Sequence, residues 1–402
     1  MTPPEFRKSD TKQESSGKLT CLFLARYAPN RTRTDPYTGL PWYLSEITNL
    51  IGIWGKPESI PVSFGSKCQQ VVQIKSNWQG WLGASRHIRQ LNRKIPHRPS
   101  AVFCGIDEFS LSLGLIAGRF HRAPVFCMVE DPPFTSRYQV HDRWSRTMER
   151  TGRLWLVKRM LKNCQRIFCF IEKEVLNEFV ENKSSICQMM NGASPQALEW
   201  HQTRSRIVRQ PQELIVGFVG ALNRMQGIDT LLDIFAHARR RLDGLRLRLI
   251  GPLDPAFASE FRALLQNLGL EQAVEVTGWL PYQSMLEKLD ECFAGVYCNV
   301  PTEWFLCAHP LKVCEYLALK KPTVAWDYPG VRRLLDNGRL GILVSHGDKT
   351  RFADWLVRLS DLESRKPIEE NIRAELSLRW TSDFWYQQVI GTVISYQKEI
   401  TK

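Results

Sequence analysis

Short apolar runs alternate with amphipathic stretches through most of the chain. Leu19–Ala25 (LTCLFLA) is an apolar run of strand length, and a polar, arginine-bearing loop, Pro29–Tyr37, follows it. Tyr43, Leu44, Ile47, Leu50 and Ile51 recur at helical spacing and predict an amphipathic helix. Ala101–Gly105 (AVFCG) and Pro124–Val129 (PVFCMV) predict two more strands. The helical stretch Ser110–Arg119 lies between them and completes one βαβ unit. Ile167–Ile171 (IFCFI) reads as another strand, preceded by a periodic helix around Leu154–Leu161. His201–Gln212 is polar and basic, without periodicity, and reads as a linker.

Beyond it the alternation becomes regular. Leu214–Val219, Leu245–Ile250, Ala273–Thr277, Phe293–Cys298, Pro322–Trp326 and Gly341–Val344 read as strands. Helical stripes separate them: Ile228 to Ala238, Phe257–Leu268, Tyr282–Asp290, Pro310–Leu319 and Gly330–Asp336. Such repetition implies a parallel, doubly wound sheet, whose ligands bind beyond the strand C-termini. The loops to inspect are therefore Gly220–Gly227, Gly251–Asp254, Gly278–Pro281, Asn299–His309 and Asp327–Pro329. The aromatic segment Glu375–Lys402 predicts one or two helices that pack on another part of the chain.

Composition narrows the picture. The 402 residues call for two domains. With 43% hydrophobic and 24% charged residues the chain is of globular type. Lys and Arg number 54 against 41 Asp and Glu, a net +13, which suits either an anionic partner or a solubilising surface. The eleven cysteines form no CxxC pair and no zinc-spaced cluster with histidine, so a reducing cytosol is expected. Residues 1–18 lack the apolar core of a signal peptide and read as a disordered leader. The best membrane candidate, Phe109–Phe120, falls short of the roughly 20 residues a span needs. The expectation is a cytoplasmic protein, soluble or peripheral at the inner face of the membrane. No helix-turn-helix, RNA-recognition or zinc-finger pattern points to nucleic acid.

Two constellations carry candidate chemistry. GALNRMQG, Gly220–Gly227, follows a strand and opens a helix. It is an ordinary strand-end turn or a cradle for an anion, with Arg224 and the helix N-terminus turned to the ligand. HPLKVCEYLALKKP, His309–Pro322, places Pro310 at a helix start and puts Lys312 and Glu315 three apart on one face. Those two are a surface pair, or a cation for a diphosphate and a carboxylate that accepts both ribose hydroxyls.

The order strand–GALNRMQG–helix, LRLIGP, VTGWLP, YCN, HPLKVCEYLALKKPTVAWD, GILV resembles the C-terminal domain of family 4 glycosyltransferases. The likeness covers about Glu213–Arg358 and is densest over Pro310–Val324, where that family carries P-x-K-x-x-E-Y-hydrophobic-A-x-x-K-P. Asn191-Gly192 resembles the family's usual end of the N-terminal domain. The resemblance implies an α/β, GT-B architecture: two Rossmann-like domains facing across a cleft, with a C-terminal helix crossing back. The implied boundaries are 19–200 for an acceptor-binding domain, 201–212 for the linker, 213–372 for a nucleotide-sugar-binding domain, and 373–402 for the returning helices.

It also implies roles. Glu315 matches the glutamate that holds the donor ribose. Its usual companion eight positions earlier is here Cys307, and Glu303 stands nearby at another spacing. The family's two cations of the first loop fall on Ala221 and Gln226, which leaves Arg224 and Lys312 as the phosphate partners. The donor site expected is Gly220, Arg224, Gly251, Trp279, Leu280, His309, Leu311, Lys312 and Glu315. Glu130 and Asp131 follow a strand where relatives face the sugar, and with Arg224 and Lys312 they form the expected catalytic set. Thr38, Gly39 and Trp42 stand where the family has its acceptor loop, and Tyr43, Trp78 and Trp81 could stack on a sugar. The implied reaction is transfer from a nucleotide-diphosphate sugar to a glycan, lipid-linked or small-molecule acceptor, as in polysaccharide biosynthesis. Retention at the anomeric carbon is expected, with no bound metal and no further cofactor. The alternative is a nucleotide-sugar-binding protein of the same fold without transferase activity.

Overall fold

A computed structural model describes residues 20–25, 39–47, 49–54, 70–73, 99–130, 144–177, 179–204, 214–375 and 381–401. The leader, the Pro29–Tyr37 loop, Thr38, Trp78, Trp81, Asp131 and residues 205–213 lie outside them.

Seven short strands form the first sheet: Thr20–Ala25 (β1), Asn49–Trp54 (β2), Gln70–Gln73 (β3), Ala101–Gly105 (β4), Val125–Val129 (β5), Arg166–Cys169 (β6) and Ile186–Gln188 (β7). All neighbours are parallel, in the order β3-β2-β1-β4-β5-β6-β7. Parallel strands need covered faces on both sides, which is why AVFCG and VFCMV are apolar at every position and wholly buried. On one face Phe23, Phe103, Phe126 and Phe168 run across four adjacent strands with ring centroids 6.3, 5.7 and 6.0 Å apart. On the other face pack helices Glu108–His121 (α2) and Trp144–Leu161 (α3), through Leu111, Ala117, Val157 and Leu161. Cys104, Cys127, Cys164 and Cys169 are buried free thiols that fill space within that core.

Gly39–Ile47 forms helix α1, and here the structure corrects the sequence reading. Leu50 and Ile51 do not extend its stripe; they belong to β2, pairing with Cys21 and Leu22. NLIGIW is a short apolar run suited to a buried parallel strand, and its first residues happen to continue the helical spacing. The segment read as linker is also shorter than expected. Helix α4 spans Pro195–Arg204, so His201–Arg204 are its last turn, with Pro195 favouring the helix start.

The second sheet holds Ile215–Val219 (β8), Arg246–Ile250 (β9), Val274–Gly278 (β10), Ala294–Tyr297 (β11), Thr323–Trp326 (β12) and Ile342–Val344 (β13). They are parallel, in the order β10-β9-β8-β11-β12-β13. The order reverses direction between β8 and β11, the switch point beyond whose strand ends sheets of this kind hold their ligands in a crevice. Helices α5 (Ile228–Arg239), α6 (Ala258–Leu268), α7 (Tyr282–Asp290), α8 (Glu303–Cys307), α9 (Leu311–Ala318), α10 (Pro329–Leu334), α11 (Lys349–Ser360) and α12 (Leu362–Glu375) surround it.

The aromatic tail forms helix α13, Ser382–Thr401. Tyr386, Val389, Ile390 and Val393 enter the core of the first sheet beside Leu40 and Leu44. The last helix thus returns to the N-terminal sheet, and Thr381 bridges Ala193 on the way. No described helix is long and apolar enough to cross a membrane.

Candidate nucleotide-binding site

The crevice at the β8/β11 reversal is built on two glycines. Gly220 ends β8 at φ +136° and Gly251 ends β9 at φ +148°, backbone conformations closed to residues with a Cβ. The turns nest: the Gly220 N–H donates to the Ile250 carbonyl at 2.9 Å, and a Cβ on Gly251 would lie 2.0 Å from the Gly220 oxygen. A Cβ on Gly220 would stand 3.1 Å from the Lys312 ammonium nitrogen. The space over Gly220 is therefore already shared between bare backbone and a cation.

Lys312 lies in the first turn of α9. Its Nζ lies over the Phe218 ring, 4.1 Å from the centroid, and donates to Gln226 Oε1 at 2.6 Å. Asn299 Nδ2 donates to the same oxygen at 3.1 Å. Burial pushes the Lys312 ammonium down to about 7, against the pull of Cys298 and Glu315. Glu315 follows one turn later. Burial pushes its carboxyl up to about 7, with Lys312 and the nearby Tyr282 hydroxyl pulling the other way. Both keep partial exposure at the crevice floor, so the cost of their charges is one that an incoming ligand can relieve. The first intrahelical bond of α9 runs from the Val313 N–H to Pro310. Among the described residues the preceding amides of Leu311 and Lys312 make no main-chain hydrogen bond and stand as the open donors of a helix N-terminus.

Arg224 stands elsewhere than expected. It opens a short 3-10 turn, Arg224–Gln226, capped by Asn223, and its guanidinium grips Glu260 of α6 through two contacts at 3.0 and 2.6 Å. Gly251 is buried beside Gly220. Trp279 is 73% exposed just past β10, and Leu280 packs partly into the core. Cys307 is buried at the end of α8, its thiol donating to the Glu303 and Trp304 carbonyls at 3.1 and 3.4 Å. It does not replace the carboxylate of the family motif. Glu303 is exposed on the same short helix.

His309 belongs to a second cluster, one that joins the two sheets. Its Nε2 is 3.0 Å from Glu172 Oε1, and Arg333 of α10 donates to both oxygens of that carboxylate at 2.5 and 2.7 Å. Glu172 lies past β6, where Ile171 bridges Ala308 and the Glu172 N–H donates to the Cys307 carbonyl at 2.9 Å. Asn191 Nδ2 donates to the His309 carbonyl at 2.8 Å, and the Cys314 thiol reaches back to the Asn191 carbonyl. Burial alone would raise the Glu172 carboxyl, but hydrogen bonds from Arg333 and His309 outweigh it and hold it at about 2. Burial lowers His309 despite Glu172 beside it, so the ring is held neutral and donates from Nε2.

The structure thus brings Gly220, Gly251, Leu311, Lys312 and Glu315 together, and directs His309 to the sheet junction and Arg224 to Glu260. Glu130 follows β5, with Asp131 beyond the described residues. Gly39 begins α1, with Trp42 in the same helix. Gln226, Asn299, Glu172 and Arg333 were not expected as site or junction residues. Asn299 carried a signal, the polar end of the run VYCN at the sheet reversal. Its side chain is buried and its Oδ1 has no hydrogen-bond partner among the described residues. Glu172 likewise ends the apolar run IFCFI.

Comparison with known proteins agrees with this geometry. Residues 213–361 match the family model described as glycosyl transferases group 1. The chain is 28% identical over 200 residues to D-inositol 3-phosphate glycosyltransferase of Rhodococcus erythropolis, covering 48% of this chain and 43% of that protein. It is 25% identical over 158 residues to alpha-D-kanosaminyltransferase of Streptomyces kanamyceticus, covering 39% of each. The matches thus span about two fifths of these relatives' length. Among solved structures, Anabaena HepE in complex with UDP superposes with a TM-score of 0.70 at 16% identity, over 94% of this chain and all of that one. Sucrose-phosphate synthase of Thermosynechococcus elongatus gives 0.70 at 15% identity, over 96% and 100%. The architecture is GT-B.

Proposed function

We propose, for a chain whose C-terminal domain belongs to glycosyl transferases group 1, that it moves a sugar from a nucleotide-diphosphate sugar to an acceptor hydroxyl. The observation that carries this reading is the pair Lys312 and Glu315 on the first turns of α9, both desolvated, beside the bare backbone of Gly220. Lys312 and the α9 amides receive the diphosphate. Glu315 accepts the ribose hydroxyls. In the reaction the bond from the anomeric carbon to the diphosphate oxygen breaks, and a bond to the acceptor oxygen forms as that hydroxyl gives up its proton. The leaving diphosphate gains charge where Lys312 stands, the place where stabilisation lowers the barrier most. A uridine nucleotide is the first donor to try, because the HepE structures hold UDP and UDP-glucose. Retention of configuration, independence of added metal, a cytoplasmic setting, and a glycan or lipid-linked acceptor complete the reading. The net charge of +13 favours an acceptor presented at an anionic membrane face.

A second reading has its own support. Cys307 is turned into its own helix, Gln226 is neutral and Arg224 is paired to Glu260, so the donor sugar meets fewer charged groups than the motif would supply. A nucleotide-sugar-binding protein without turnover fits these facts. A thermal-shift screen of UDP-, GDP-, ADP- and dTDP-sugars, followed by assay of nucleotide release with and without EDTA, separates the two. Stabilisation with release supports transfer, and stabilisation without release over a broad acceptor panel supports binding alone. No stabilisation by any nucleotide sugar defeats both.

A further inference from the structure

The first sheet carries an outer surface that the nucleotide site does not use. Helices α2 and α3 pack side by side on one face of that sheet, burying Ala117, Val157 and Leu161. Their outward sides show Ile116, Phe120, Trp155 and Leu156, half of the large hydrophobic side chains exposed among the described residues. Ile116 and Phe120 are one turn apart and so share a stripe. Trp155 is 60% exposed, far more than an aromatic of a packed helix requires.

The polar residues among them are cations. Arg119 and Arg122 flank Phe120, and Lys158 and Arg159 follow Leu156, all exposed. The Arg159 guanidinium lies over the Trp155 ring, 5.4 Å from its centroid. Lys162 pairs with Glu181, whereas Arg119, Arg122 and Lys158 have no carboxylate within ion-pair distance among the described residues. Arg122 even occupies the left-handed helix-ending position, φ +53°, where glycine is the usual choice. Apolar and aromatic side chains framed by unpaired cations match the boundary of an anionic bilayer, where indole rings lie at headgroup depth and cations meet lipid phosphates.

We propose that this α2–α3 surface docks the protein on an anionic membrane, with both helices lying along the bilayer plane. The proposal gives the membrane face of the proposed function a place in the fold, and it can fail or hold apart from sugar transfer because these residues lie on the first sheet's outer helices and not in α9 or its neighbouring loops.

The test is co-sedimentation of the full chain with vesicles of phosphatidylcholine containing phosphatidylglycerol, against vesicles of phosphatidylcholine alone. The wild type should bind the anionic vesicles, and added salt should weaken the binding. Trp155→Ser/Leu156→Ser and Lys158→Glu/Arg159→Glu, at unchanged melting temperature, should each lower the partition coefficient. The charge reversal should do so by at least about thirtyfold, roughly fivefold for each cation removed. Leu362→Ser, an exposed apolar residue of the other domain, should bind as wild type. Equal binding to neutral vesicles, no binding at all, or wild-type binding by both α3 variants overturns the proposal. So does loss of self-association in Trp155→Ser without vesicle binding, which would make the face a protein interface.

Discussion

Two carboxylates close to the same helix start have opposite electrostatics. Glu172 at the sheet junction is met by a bidentate guanidinium and a histidine N–H, and its carboxyl is held at about 2. Glu315 in the crevice has one cation a turn away, itself weakened by burial, and its carboxyl is pushed up to about 7. The first carboxylate is satisfied by the protein alone. The second is left short of partners, and under the proposed function a ligand offering hydroxyls and a diphosphate would supply what is missing. Burial of a charged group marks function only where the protein has not already satisfied it.

The strongest way to break the contrast is to remove the satisfied member. Glu172→Ala leaves Arg333 and His309 facing each other across the junction. It should cost about 3 kcal/mol, the lower end for a disrupted buried pair because Arg333 is partly exposed, as read by urea denaturation. The sign with pH follows. The folded value of about 2 lies below the usual 4.5, so the Glu172 contribution is fully present above pH 4.5. It is lost as pH falls towards 2, and the variant's acid unfolding should be correspondingly less steep.

Removing the unsatisfied cation should act on ligand rather than on fold. Lys312→Met should weaken UDP binding by about 10–100-fold, the worth of a charged hydrogen bond, with a melting temperature no lower than wild type. Calorimetry that finds wild-type affinity removes Lys312 from the diphosphate site. The smallest and most discriminating effect concerns pH. Above about 7 Lys312 must take up a proton to meet the diphosphate, and below about 7 Glu315 must release one to accept the ribose. UDP affinity should peak near neutrality and fall on both sides. Lys312→Met should flatten the alkaline limb and Glu315→Gln the acidic one. Glu315→Gln should also weaken UDP about fivefold while leaving inorganic pyrophosphate unaffected, since only UDP carries the ribose.

Much of the second sheet could be read from the chain because IVGFV, AGVY, TVAW and ILV are compact, largely apolar runs and glycine follows β8 and β9, and the helix Tyr282–Asp290 spans the residues its periodicity predicts. The first sheet was harder. NLIGIW mimics a helical stripe, and QVVQ is too short and too polar at its ends to announce a strand. The Lys312–Glu315 pair was legible because both lie on one helix turn. The Glu172–Arg333–His309 cluster was not, because its members stand 161 and 137 positions apart and meet only when the two sheets do. Arg224 shows the converse: its place in the loop was right, but its partner on α6 depends on packing that spacing does not encode.

The tripeptide Cys307-Ala308-His309 is tied to the first sheet by two main-chain contacts and ends beside Pro310, where α9 begins. It therefore couples two events that distance would otherwise separate. Anything that stiffens α9 from its N-terminus also damps opening at the Glu172 amide. Hydrogen exchange at that single amide is thus a remote reporter of occupancy in the crevice, read without touching a residue that holds the ligand.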